Sequence, residues 1–205
     1  MMAMCRFSML SLMLCLPVLL QAGTLAEPAK VVKQVSDDVR HALTHQRAYL
    51  KTNRFAVHDL VNQVFVPNVD FYRIGSLMLG KYWKMASECQ KNQFVKAFKA
   101  MLVRSYSEAL VKLDGWEMVF ERTRFFRNKT RALVRTFVSR PKGPKFEVYY
   151  RMHYKNQRWQ VYDVVVEGIS LVTIYQRVYT KRVKEQGFDV FLQGLGEQKA
   201  VSFSQ

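Results

Sequence analysis

The sequence predicts an α+β fold in which helices cover one apolar face of a four-stranded antiparallel sheet. Three observations predict it. Apolar residues recur at three and four residue steps from Pro28 to Leu113, strict alternation replaces them between Trp116 and Glu167, and helical spacing returns after Gly168.

The first segment is one expected to leave the chain. Met1 to Arg6 carries one positive charge and Phe7 to Leu20 is almost unbroken apolar sequence, the order of a secretory signal. The run falls short of the roughly 20 apolar residues that a membrane span needs. Thr24 and Ala26 fit the small-residue positions of a cleavage site, so residues 1–26 are expected to be removed and 27–205 to form a single domain. Leu14 before Cys15 argues against a lipid anchor, and with Cys5 and Cys15 gone only Cys89 remains, which excludes an intramolecular disulfide.

Pro28, at an allowed first-turn position, opens a helix to about Lys51 with Val32, Val35, Val39, Ala42, Gln46 and Tyr49 on one side. A second helix runs from about Arg54 to Phe65 and ends before Pro67; Asp70 caps a third, Phe71 to Leu79, closed by Gly80. Ser87 and Gln90 make a capping box for a long helix carrying Phe94, Phe98, Met101, Leu102, Ser105, Tyr106, Ala109 and Leu113, stopped by Asp114-Gly115. Alternation then marks strands around Trp116–Glu121, Ala132–Val138, Phe146–Tyr154 and Trp159–Glu167. Ile169 to Lys184 is helical again, with a short last helix after Gly187.

Charge and chemistry narrow the function. The chain has 32 Lys and Arg against 16 Asp and Glu, a net +16 that loses one with Arg6. Inside a cell that surplus points to nucleic acid; on an exported protein it fits either a well-solvated surface or docking to an anionic membrane surface or an acidic partner, and no nucleic acid is expected. Asp37, His41 and His45 recur every four residues, yet at 1.5 Å rise per residue the outer two stand about 12 Å apart, so no metal is expected there. His153 shares the outward parity of Glu147 and Arg151, and no nucleophile motif accompanies it. Asp163 and Glu167 alternate with Tyr162, Val164 and Val166, which places both carboxylates on a polar face, ion-paired with arginines. Gly75, Gly80 and Gly168 form no phosphate-cradling loop. No catalytic residue and no cofactor follow. What stands out is apolar mass: 14 Phe, 10 Tyr and 3 Trp, with Met78, Met101, Met118 and Met152 on inward faces. Periodicity does not separate a packed core from a lined pocket.

Particular words of the sequence add to this. Phe65-Val66-Pro67, Val69-Asp70-Phe71, Leu79-Gly80-Lys81-Tyr82-Trp83, Phe94 with Phe98, Leu102 and Tyr106, and above all WQVYDVVVEGIS from Trp159 to Ser170, followed by Leu171-Val172 and Tyr175, resemble the MlaC family of toluene-tolerance proteins from about Ala29 to Gly196. The family often has arginine directly after the tyrosine matching Tyr175; here Gln176 follows, with Arg177 one place later. The resemblance implies a periplasmic carrier of glycerophospholipid in Gram-negative bacteria. Such a carrier passes lipid between an outer-membrane MlaA and porin complex and an inner-membrane ABC transporter containing MlaD, and so maintains outer-membrane lipid asymmetry. It implies a monomer with transient membrane contact, phospholipid as cargo rather than cofactor, and a twisted four-stranded sheet of NTF2-like shape holding acyl chains against the helical layer.

Apolar parity and helical facing then nominate the lining: Met118, Val134, Val148, Tyr150, Met152, Tyr162, Val164 and Val166 from strands, with Leu77, Met78, Phe98, Leu102, Tyr106, Ile169, Val172 and Tyr175 from helices. The competing reading is an exported NTF2-like enzyme acting on an apolar substrate, which requires an acid and a base converging in the pocket, such as Asp163 beside His153. A ligand-free chaperone or adaptor requires a filled core.

Overall fold

Helix α1 (Glu27–His45) buries Ala29, Val32, Val39, Ala42 and Leu43, a stripe at three and four residue steps. The computed structural model describes residues 27–111 and 115–195, with Arg54 and residues 106–111 described by backbone alone. The expected signal segment, Leu113 and Asp114 therefore lie outside the described residues, as does the side chain of Tyr106. Among the described residues no helix is long and apolar enough to cross a membrane.

The first helix does not run through to Lys51. It breaks at Gln46, and α2 (Arg47–Thr52) turns Leu50 inward while Tyr49 is exposed. Asn53 then caps α3 (Arg54–Val64), its Oδ1 accepting the amides of Phe55 and Ala56 at 3.0 and 3.2 Å. A 3-10 turn, Val66–Asn68, carries Pro67. Asp70 Oδ1 accepts the Arg73 amide at 2.8 Å and opens α4 (Phe71–Leu79), which Gly80 ends with a φ of 52°. Helix α5 (Lys81–Met85) has too few residues to show a period, so the sequence reading passes over it. The capping box forms as expected: the Ser87 amide donates to Gln90 Oε1 at 2.9 Å and the Gln90 amide to Ser87 Oγ at 3.2 Å, opening α6 (Glu88–Val111). Helices α7 (Leu171–Gln186) and α8 (Phe188–Leu195) close the chain.

Among the described residues the sheet has six strands, not four. They are β1 (Glu117–Phe120), β2 (Arg124–Phe125), β3 (Arg131–Ser139), β4 (Lys145–Lys155), β5 (Arg158–Val166) and β6 (Ile169–Ser170), in the antiparallel order β1-β3-β4-β5-β6 with β2 also on β3. The two unforeseen strands, β2 and β6, have two residues each, too few for alternation to register. Strand β6 takes the first two residues of the expected final helix. Glu167 and Gly168, at φ 49° and 79°, fold the chain back so that Ser170 pairs with Val165 and then caps α7 through the Thr173 amide.

Parity on β3 and the middle of β4 is as the alternation predicts, with Ala132, Val134, Thr136, Val148 and Met152 buried, whereas Phe146 and Tyr154, of the same parity near the ends of β4, are exposed. Their cover is α1: Ala29 and Val32 pack on Val134 and Met152. A separate, larger core joins α4, α6, α7 and α8, where Phe94 stacks on Phe98 at 5.6 Å and Tyr179 meets both edge-on. Gly75 lets α4 approach this layer, since a Cβ there would stand 2.6 Å from the Trp83 ring. Strand β5 runs between the two cores. Among the described residues its N-terminal half meets no complete neighbouring strand on the outer side, only the parallel bridge from Val69 to Val161 that ties it to the start of α4.

Candidate functional site

Along that half of β5 lies a cavity of about 340 Å³. Val61, Phe65 and Val66 close it from α3 and the 3-10 turn, Val69 from the segment before α4, Phe71, Ile74 and Met78 from α4, and Phe98, Leu102 and Val103 from α6. Leu171, Val172 and Tyr175 of α7 complete the helical side, and Val161 and Val164 form the strand side. Among the described residues the charged ones on its border are Lys99 and Asp163. Lys99 is half-buried and sits over the Phe71 ring, its Nζ 5.3 Å from the centroid, so the ammonium lies against an aromatic face at the edge of the cavity.

Asp163 corrects the sequence reading. It faces away from Val164, opposite Arg151, as alternation requires, yet it is only 3% exposed. The strand does not end at a solvated face there, because Ser170 and the first turn of α7 close over it. Oδ2 accepts Arg151 Nη1 at 2.9 Å and Ser170 Oγ at 2.7 Å, and Oδ1 accepts the Val172 amide at 3.1 Å. The expected ion pair with an arginine is present, and its task is to anchor α7 to β5. Glu167, by contrast, is exposed at the turn and accepts the Glu147 amide.

His153 is also less exposed than its parity suggests, with a side chain at 16%. Its Nε2 stands 3.1 Å from Asp70 Oδ2 without hydrogen-bond alignment, and Lys155 Nζ reaches the same oxygen at 3.4 Å. It does not border the cavity and is not beside Asp163. The acid and base that the enzyme reading needs are therefore not brought together.

Burial pulls the His153 imidazole below its ordinary range; Asp70 opposes this only in part, while Lys155 and Arg73 reinforce it. For Asp70 burial acts upward, but the Arg73 amide, Lys155 and His153 together hold the carboxyl below the usual carboxylate range. Both shifts mean that the unfolded chain binds protons more readily. Stability is accordingly full above the free-histidine value of about 6.5 and falls as pH drops through the folded His153 value, then falls again below about 3.9 as Asp70 titrates. Urea midpoints measured between pH 8 and 3 are expected to fall in two stages, and His153→Gln to remove the first; a variant retaining both would assign the upper stage elsewhere.

The family model of the MlaC protein matches residues 33–197. The chain belongs to the MlaC family. It is 26% identical over 191 residues to a toluene tolerance protein of Pseudomonas putida, covering 93% of this chain and 87% of that protein. It is 22% identical over 168 residues to the intermembrane phospholipid transport system binding protein MlaC of Haemophilus influenzae, covering 80% and 78%. Among solved structures, a phospholipid-binding protein of Ralstonia solanacearum, in complex with a phospholipid, matches with a TM-score of 0.76 and 27% identity, over 84% of this chain and 96% of that one.

In this MlaC-family chain the nominated residues divide. Met78, Phe98, Leu102, Val164, Val172 and Tyr175 border the cavity. Val134 and Met152 are packed under α1, with Tyr150 against them and its phenol pushed up to about 12 by burial. Val148 pairs with Val166 at the far end of the sheet, and Ile169 beside them is exposed. Met118 borders a different cleft, of about 430 Å³, with Val39, Leu43 and Val138. Tyr162 is the residue left over where the register slips: Arg151 opposes Asp163 and Met152 opposes Val161. The slip moves it off the row of Val164, to a place between Arg73 and His153. Leu77 packs against the main core, and its carbonyl accepts Gln176 Nε2 at 3.0 Å, so the residue in the family's arginine position ties α7 to α4.

The sequence reading passed over Val61, Phe65, Val66, Val69, Phe71, Ile74 and Leu171 as lining. The Phe65-Val66-Pro67 and Val69-Asp70-Phe71 motifs were the available signal, because an irregular apolar segment between two helices has no period of its own.

Proposed function

We propose that this MlaC-family chain is a periplasmic glycerophospholipid carrier, exported by the segment 1–26, that holds acyl chains in the cavity along β5. It exchanges cargo with an outer-membrane MlaA and porin complex and with MlaD of an inner-membrane ABC transporter, and so maintains outer-membrane lipid asymmetry. The cavity carries this reading: its walls are aliphatic and aromatic, and its volume of about 340 Å³ falls in the range of ligand sites. The relative named as a phospholipid transport binding protein and the Ralstonia structure holding a phospholipid support it.

Physics explains the need. Each methylene moved from membrane to water costs about 0.8 kcal/mol, so two long acyl chains face on the order of 20 kcal/mol for unaided escape. A dry cavity replaces one apolar surrounding with another and lets the headgroup stay in water, which requires no catalytic group and no cofactor. Transfer is then passive at both membranes, with energy supplied by the transporter.

The test is extraction of the protein purified from periplasm, followed by mass spectrometry of the extract. Near-stoichiometric phospholipid is expected. Its repeated absence, together with no uptake from phospholipid vesicles, would sink the carrier.

A further inference from the structure

A second depression, of about 440 Å³, adjoins the cavity and shares Val66, Val69, Phe71 and Lys99 with it. Its other wall is the tip of the β4-β5 hairpin, where Lys155 and Arg158 are direct cross-strand partners. Like charges held opposite each other weaken a strand pair. The turn between them, Asn156-Gln157, has both residues at positive φ (50° and 61°) without a glycine, so the tip is held in a conformation that side chains disfavour. Asp70 Oδ2 relieves Lys155 at 3.4 Å, but among the described residues it is the only acidic one bordering the depression. Among the described residues neither Lys99 nor Arg158 has a carboxylate within 4.0 Å. Lys99, Lys155 and Arg158 therefore line one cleft with a single carboxylate at the side of an apolar cavity, an arrangement that folding alone does not favour.

We infer that this cleft is a phosphate subsite for the headgroup of a net-anionic glycerophospholipid, with Lys99 and Arg158 as its unpaired donors and the acyl chains in the adjoining cavity. The inference rests on the carrier reading and adds a cargo preference to it. Lys99 borders both spaces, as a group at the boundary between chains and headgroup must. A zwitterionic headgroup brings its own cation to the same site and gains less.

The test uses short-chain diacyl phosphatidylglycerol and phosphatidylcholine of equal chain length, below their micelle concentrations, so that attraction to a charged vesicle surface plays no part. Bound lipid is read by native mass spectrometry after exchange from an equimolar mixture. The expected result is about a tenfold preference for phosphatidylglycerol at low salt, shrinking at high salt. In Lys99→Gln/Arg158→Gln the preference should fall below about twofold, while phosphatidylcholine is still bound. Lys181→Gln/Lys184→Gln, which removes two exposed charges from α7, should keep the preference. Equal binding of both lipids by the unaltered chain overturns the subsite and leaves the carrier standing, and so does an equal loss in the α7 variant. Binding of neither lipid overturns the carrier itself. Inorganic phosphate is the other source of the same chemistry: if it displaces phosphatidylglycerol at matched concentration, the cleft is a free-phosphate site and the headgroup assignment fails.

Discussion

Val164→Glu is expected to empty the carrier. Val164 is half-buried on β5, opposite Tyr150, and its side chain forms the strand wall of the cavity. An ionised carboxylate there either faces an acyl chain in a water-poor space or draws water in, and the cost of several kcal/mol corresponds to a loss of retained phospholipid of about 100-fold or more. Because the new side chain enters a cavity rather than a filled core, the circular dichroism spectrum and melting curve should stay near those of the unaltered protein. Val164→Leu serves as the control and should retain lipid. A folded Val164→Glu variant that still copurifies with phospholipid would mean that the chains lie elsewhere.

Asp163→Ala is expected to be the most destabilising single change outside the hydrophobic cores. It removes the acceptor of three hydrogen bonds at once and leaves the Val172 amide without a partner under the first turn of α7. Arg151 is half-exposed and recovers water, so the loss is set by the buried amide and hydroxyl rather than by the full value of a buried ion pair. About 3 kcal/mol is the expected loss, a fall in Tm of about 6–12 °C for a domain of this size. Asp163→Asn, which can still accept the Val172 amide, should lose clearly less. Urea unfolding of all three proteins, with their lipid content measured in parallel, gives the answer; a loss below about 0.5 kcal/mol for the alanine variant would remove Asp163 from its anchoring role.

Much of the secondary structure was legible because its causes are local. The Asp70 cap, the Ser87 and Gln90 capping box and the alternation on β3 and the middle of β4 each depend on neighbours within four residues, and each appears in the structure as the sequence predicts. Two-residue strands and a five-residue helix escaped notice for the same reason, since a period needs more residues than they have. The candidate site was legible on its helical side, where Met78, Phe98, Leu102, Val172 and Tyr175 project from long periodic elements.

The strand side was not. Alternation correctly identifies the apolar face of β3 and β4, but it does not say which helix covers it. Val134 and Met152 went to α1, whose Ala29 and Val32 fill that face, and the free space moved to the outer half of β5. A register slip, visible only when β4 and β5 are paired, took Tyr162 off the row of Val164.

By itself, then, the sequence determined the caps, the strand parities, the surplus of positive charge and the family, all of which are written in short stretches of chain. Tertiary structure alone decided that Asp163 is an anchor rather than a surface charge, that Lys99 lines one cleft with Lys155 and Arg158 beside a cavity, and which apolar residues face space instead of one another. Those outcomes depend on contacts beyond the four-residue reach of a cap or a helical period, and hydrophobic attraction, being non-directional, specifies that apolar side chains are buried without specifying against what.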